Sequence, residues 1–268
     1  MENQLSVPIY YINLDRDVVR AKKIEKLAEQ TGWLMHRIAA HSDAEMPKKW
    51  RAMLCDENGR PFSPLTPGEL GCYASHLTAI SKAVELNRPI AVAEDDIELL
   101  DIDIDLQLIV DNAPPDWGFI RLSNPLKSPA VKRVHLSGPF DLVEPWRVPN
   151  NMGFYLVSPA GAQSFLSYSQ KRARANDEDL RRVWEHKAVN YVLAPPLVVI
   201  NQGKSSIDQE GSRTCLPERQ RSAHISDNRR QQIHWLKQRF SLPEKLSILW
   251  KWFLVKVLKR SQCWIVRV

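Results

Sequence analysis

The sequence has no apolar run approaching the ~20 residues that a membrane-spanning helix needs, which excludes an integral helical membrane protein. It has only four cysteines in 268 residues, Cys55, Cys72, Cys215 and Cys263, and no C-x-x-C pair. A zinc ribbon and a disulfide-stapled module are therefore unsupported, and reduced thiols are the simplest reading. Neither G-x-G-x-x-G nor a Walker A lysine motif occurs, so the dinucleotide and P-loop readings fail. The N-terminus, MENQLSVPIYYINLDRD, lacks a basic n-region and a small-residue cleavage site. It reads as the start of a mature cytosolic chain.

What is present is a globular composition, 44% apolar and 25% charged, in a chain long enough to bury a sizeable core. The formal net charge of +6 is unevenly spread. Residues 229–268 hold ten Lys/Arg and one acid, Glu244, whereas the rest holds 27 bases against 30 acids. A near-neutral body thus carries a basic tail suited to an anionic partner.

Strand-like and helix-like segments alternate over the first 200 residues, which predicts an α/β domain around a largely parallel mixed sheet. Strands are expected at Pro8–Asn13, Trp33–Ala40, Pro89–Ala93, Trp117–Leu122, Gly153–Val157, Val189–Leu193 and Leu197–Ile200. Helices are expected at Val18–Gln30, Leu70–Leu86, Ile104–Asn112, Pro159–Ser169 and Asp177–His186. The Pro- and charge-rich stretch 42–65 reads as a long loop, and 203–228 as a polar linker. Two candidate tail helices follow, Arg229–Phe240 and Pro243–Arg260. In the second, Lys245, Lys256, Lys259 and Arg260 fall within about a 100° arc, with Trp250, Trp252, Phe253, Leu254 and Leu258 on much of the remainder. A basic, tryptophan-bearing amphipathic helix suits an anionic bilayer surface; a helix packed on the domain is the plainer alternative.

Four segments carry chemistry-bearing residues. In IAVAEDD an apolar strand runs into Glu94, Asp95 and Asp96. Three adjacent acids repel one another, and hard oxygens at a strand end suit Mg²⁺ or Mn²⁺; a solvated acidic turn is the alternative. In LTPGELGCYASHL, Thr66 and Glu69 form a capping box with Pro67 at the first helical position. Glu69, Cys72 and His76 then line up beside the buried stripe Leu70, Tyr73, Ala74, Leu77, Ile80 and Val84. A zinc site from Glu69, Cys72 and His76 is disfavoured because no fourth ligand stands nearby. In INLDRDVVR, Asn13, Asp15, Arg16 and Arg20 follow the first strand, where α/β proteins bind nucleotides, although taken alone an Asp cap with surface arginines is the better account of them. In NDEDL, Asp177 either caps a helix or acts as a general base toward a sugar hydroxyl.

Together and in this order, these segments resemble glycosyltransferase family 25, the lipooligosaccharide galactosyltransferases and their collagen galactosyltransferase relatives. The resemblance rests on INLDR with Arg20, LTPGELGCYASH, AVAEDD, GFYLVSPAGA at 153–162, the Asp177-Glu178 pair, and Pro195 to Gln202 followed by Ser205 and Ser206. It covers roughly residues 7–210. It implies a GT-A-like domain over residues 1–210, with 211–268 as linker and basic helical tail. It further implies a UDP-sugar donor, galactose being the family's commonest sugar, and inverting transfer to a hydroxyl of a saccharide acceptor such as lipooligosaccharide or LPS core.

In that frame Glu94 and Asp96 are the metal residues, for Mn²⁺ or Mg²⁺. Asn13, Asp15, Arg16, Arg20, Glu69, Ser75, His76, Asp95 and Gln202 surround the nucleotide sugar. Asp177 and Glu178 are the catalytic acids, with Asp179 a competitor for the role of base. Asn176 departs from the family, which usually has an apolar residue before the Asp-Glu pair. The tail implies a peripheral enzyme on the inner face of the cytoplasmic membrane with a lipid-linked acceptor, and no nucleic-acid partner. Two other classes remain: a metal-dependent nucleic-acid enzyme gripping phosphate with the tail, and a catalytically silent membrane-associated homologue. The first leaves INLDR and GELGCYASH without a role.

Overall fold

The structure, a computed structural model, describes residues 6–63, 65–100, 104–123, 128, 130–200, 230–231, 234–235 and 238–256. The chain begins with β1 (Ile9–Asn13), α1 (Val18–Thr31) and β2 (Met35–Ala39), then α2 (Lys48–Leu54) and α3 (Pro67–Glu85). Next come β3 (Ile90–Glu94), β4 (Ile97–Leu99), α4 (Leu106–Asp111), β5 (Trp117–Arg121), β6 (Ala130–Ser137) and β7 (Phe140–Pro145). β8 (Phe154–Val157), α5 (Pro159–Ser167), α6 (Asn176–Leu180), α7 (Val183–His186), β9 (Val189–Ala194), β10 (Val198–Ile200) and α8 (Leu242–Lys256) complete it.

Eight strands form one sheet in the order β2-β1-β3-β8-β5-β9-β7-β6, while β10 pairs with β4. β1 is parallel to β2 and β3, and β5 to β9; β8 runs against β3 and β5, and β7 against β9 and β6. Most strands therefore share one direction, with β8 and β7 opposed. This is the mixed α/β sheet that the alternation predicted. Side chains alternate along each strand. Ile90, Val92, Phe119, Tyr155 and Val157 pack under α2, α3 and α5. Ala91, Ala93, Ile120, Phe154 and Leu156 pack with Ile24 of α1 and Ile109 of α4 on the other side. Three layers result.

The sequence reading needs correction at several places. The stretch 42–65 contains α2, whose Trp50, Met53 and Leu54 are buried at helical spacing beneath its prolines and charges. The hairpin β6–β7 has no counterpart among the expected strands. Its buried strand carries two acids, Asp141 and Glu144, which disguise an otherwise apolar run. Each acid has basic partners: Arg133 at 2.6 Å and His135 at 3.1 Å for Asp141, and Arg239 at 2.9 Å for Glu144. The single helix expected at Asp177–His186 is two, α6 and α7, and Asp177 is not the cap: Ala175 occupies that position. The linker 203–228 lies outside the described residues, as do 257–260 of the second tail helix.

The described part of the tail packs on the domain. Phe240 is buried beside Trp146 and Trp235, Arg239 pairs with Asp116 and Glu144, and Trp184 Nε1 donates to Gln231. Among the described residues, no helix is long and apolar enough to cross a membrane.

Candidate active site

The parallel strands β1 and β3 end side by side, with Ile12 paired to Glu94, so their carboxyl-terminal residues share one edge of the sheet. In open α/β sheets that edge is where ligands bind. A cavity of about 430 Å³ opens there, walled by the turn after β1, the segment 40–44, the start of α3 and the acidic triplet. Its volume lies in the range typical of small-molecule sites.

The three acids divide their labour. Asp95 is bound inward: Asn13 Nδ2 donates to Oδ2 at 2.7 Å and Arg20 to Oδ1 at 3.0 Å. Burial raises its pKa, and those two bonds oppose the rise. Asn13, 2% exposed, accepts in turn from Arg37 Nε at 2.9 Å. Asp96 is different. Burial, then Glu94 and Asp95, push its carboxyl up to about 7, and its Oδ1 is buried without a hydrogen-bond partner. Glu94 stands at the last position of β3 and is reached by His76 Nε2 at 3.2 Å.

His76 comes from α3, whose start is built as the sequence predicts: Thr66 Oγ1 accepts from Glu69 N, and Glu69 Oε2 accepts from Thr66 N at 2.8 Å. The His76 ring is 1% exposed and its Nδ1 lies 3.0 Å from Tyr155 Oη on β8. One turn earlier, Gly71 lets α3 approach the segment 40–44; a Cβ there would sit 2.3 Å from the His41 carbonyl oxygen. Ser75 Oγ accepts from His41 N at 2.8 Å and donates to the Gly71 carbonyl at 2.7 Å. The motif G-C-x-x-S-H therefore docks one cavity wall and presents one imidazole.

The Cys72 thiol, on the same face, is pushed well above its usual range by burial and by the charges of Glu94, Asp177, Glu69 and Asp96. Asp177 thus belongs to the same electrostatic neighbourhood as the metal-type acids, although α6 lies more than 80 residues further on. Burial raises the Asp177 carboxyl, and Arg121 opposes that rise. Arg121 is fully buried at the end of β5; it donates to the Asn151 carbonyl and is pulled down to about 10 by burial.

The expected site residues are therefore distributed as follows. Asn13, Arg16, Arg20, Ser75, His76, Glu94, Asp95 and Asp96 line the cavity. Asp15 does not: its side chain is 84% exposed, paired with Arg37 at 2.6 Å. Glu69 is engaged in the capping box rather than presented to a ligand. Asp179 is closed off, its carboxylate accepting from Tyr73 Oη at 2.6 Å and Arg174 at 2.8 Å. Asp177 and Glu178, the expected catalytic acids, are half-buried on α6, and neither is among the residues that line this cavity. Gln202 lies outside the described residues. Sequence reasoning missed Arg121 and Tyr155; the visible signal was a lone arginine closing the apolar strand WGFIR.

Residues 6–137 match the model of glycosyltransferase family 25 (LPS biosynthesis protein), a stretch that holds the cavity walls from Asn13 to Asp96 and ends before Asp177. This region is a family 25 glycosyltransferase region, and glycosyl transfer is its class of chemistry. No curated protein matches the chain. One solved structure to which it is similar is a glycosyltransferase involved in the glycosylation of the major capsid of PBCV-1. The identity is 12% and the TM-score 0.43, covering 77% of this chain and 97% of that one.

Proposed function

We propose that the chain is an inverting glycosyltransferase that moves a hexose, galactose by the resemblance, from a UDP-sugar to a hydroxyl of a saccharide acceptor of lipooligosaccharide or LPS core, or another surface glycan. The observation that carries this reading is Asp96: a half-buried carboxylate with one buried, unpartnered oxygen, beside Glu94, at the wall of a nucleotide-sized cavity. Such a donor set is hard, anionic and short of positive charge, which fits a divalent cation. Glu94 and Asp96 would hold Mn²⁺ or Mg²⁺, and the ion, when bound, supplies neutralisation of a departing diphosphate.

The chain's own residues do the rest. Arg16 and Arg20 line the same cavity and favour a phosphate-bearing donor. Asp177, its proton affinity raised by burial, takes the proton of the acceptor hydroxyl as that oxygen attacks C1 from the face opposite UDP. Arg121 opposes that rise.

The tail reading belongs to the same proposal. On α8, Leu242, Leu246, Leu249, Trp250 and Phe253 are exposed at helical spacing, in a region rich in Lys and Arg. That supports seating at an anionic inner membrane face, where a lipid-linked acceptor resides. Thermal-shift screening of nucleotide sugars with and without Mn²⁺ tests the core of the proposal, since a ligand that binds only the folded state raises its melting point. A shift with UDP-sugars that needs Mn²⁺ supports it. Undiminished turnover in EDTA, or after Glu94 and Asp96 are both neutralised, overturns it.

A further inference from the structure

We propose that Cys72, His76 and Glu94 form a second, softer metal site, selective for Zn²⁺, that shares Glu94 with the hard-cation site. One ligand atom of each lies within 4.8 Å of the other two. Cys72 and His76 are one turn apart on α3 and present their side chains to the same cavity wall, while Glu94 enters from the end of β3. Glu69, which sequence spacing placed in line with these two, is tied to Thr66; the carboxylate that reaches His76 is Glu94.

The donor set decides the metal. A thiolate and an imidazole are borderline-soft ligands that favour Zn²⁺ over Mg²⁺ or Mn²⁺. Zinc with three protein ligands keeps a fourth position open, and all three residues here line the cavity, from which a further ligand would enter. Tetrahedral zinc bonds of about 2.0–2.3 Å bring ligand atoms to roughly 3.5 Å of one another, so the site closes by an inward shift of about 1 Å. The supporting shell is in place, because His76 Nδ1 already meets Tyr155 Oη at 3.0 Å. Such a partner fixes the ring and its tautomer.

The proton balance is simple. Metal binding would place the His76 proton on Nδ1, donated to Tyr155 Oη, instead of on the Nε2 that meets Glu94 in the metal-free site, and so free the Nε2 lone pair for the ion. Glu94 is ionised. The Cys72 thiol releases one proton to solvent on forming the metal–sulfur bond. Zn²⁺ in this site withdraws Glu94 from a hard cation, and so it competes with Mn²⁺ in glycosyl transfer. That consequence alone rests on the proposed function.

Cobalt substitution tests the binding. Co²⁺ titrated into the metal-stripped full chain, with no sugar donor present, is expected to give a thiolate-to-cobalt charge-transfer band at one equivalent. Zn²⁺ bleaches that band. It vanishes in Cys72→Ser, persists in Cys55→Ser, and requires 10–100-fold more metal in Tyr155→Phe. Calorimetry in buffers of different ionisation enthalpy should read one proton released per Zn²⁺. Circular dichroism of Cys72→Ala shows whether the apo fold survives the loss of the thiol. No band in the wild type, or a band that survives Cys72→Ser, overturns the site whether or not the chain transfers sugar. If the band behaves as expected but Zn²⁺ does not compete with Mn²⁺, the metal site stands and the shared role of Glu94 in transfer falls.

Discussion

Asn13 Nδ2 and Asp95 Oδ2 lie 2.7 Å apart, joining the end of the first strand to the middle acid of the triplet. Asp95 is thereby spent on holding the two strand ends together, and Asp96 is left as the acid with an unpartnered oxygen. Asp95→Ala strands Asn13 and Arg20 without their acceptor and is expected to cost about 1.5–3 kcal/mol of stability, the usual value of hydrogen bonds to a charged group. Asp96→Ala removes an acid already crowded by Glu94 and Asp95, and it should leave the melting temperature unchanged or raised while abolishing UDP-sugar hydrolysis. Denaturant unfolding and donor turnover on both variants check the contrast.

The acids of α6 should separate in the same way. Asp177→Asn is expected to lower kcat by about 10²–10⁴ with the fold intact, as loss of a general base does. Asp179→Asn should instead destabilise, by about 3–5 kcal/mol, because it breaks a buried pair with Arg174 and the bond from Tyr73. Urea melts and single-turnover rates distinguish the two; equal loss of rate without loss of stability in Asp179→Asn would return Asp179 to contention.

His186 anchors α7 against α6. Its Nε2–H donates to the Leu180 carbonyl at 3.1 Å and its Nδ1 accepts from Ala188 N, so the folded ring is held neutral. Burial brings its pKa down to about 4 from an ordinary 6.5. Between those values the unfolded chain binds the extra proton and the folded chain does not. Stability from this group is therefore full above pH 6.5 and is lost as pH falls toward 4, by up to about 3 kcal/mol. His186→Gln should flatten that part of the stability–pH curve, measured by denaturant melts at pH 4.5 to 7.

Gly71 reports on the motif. Gly71→Ala drives a methyl into the His41 carbonyl and should displace the 40–44 wall. The expected result is a loss of about 1–3 kcal/mol, as for overpacking elsewhere, together with a raised KM for the donor. An unchanged KM would detach that wall from donor binding.

The tail calls for substitution rather than truncation, since removing residues beyond 228 would also strip Arg239 from buried Glu144. Leu246→Ser with Trp250→Ser alters only exposed side chains. The double variant should lose sedimentation with anionic vesicles and keep its melting temperature. Vesicle binding equal to wild type would show that this face is not the anchor.

The sequence alone determined what depends on near neighbours along the chain. The Thr66–Glu69 cap, the helix ending at Gly32 and the apolar strands β1, β3 and β8 follow from local hydrogen bonding and periodicity, which act over a few residues. It also supplied the acids at 94–96 as a group. Only the tertiary structure divided that group, because the division depends on Asn13 and Arg20 arriving from 75 or more positions away. The same holds for Glu94 displacing Glu69 beside Cys72 and His76, for Tyr73 and Arg174 sequestering Asp179, and for buried acids concealing β7. Burial and charge set what each carboxylate can do, and both are properties of the packed molecule rather than of spacing.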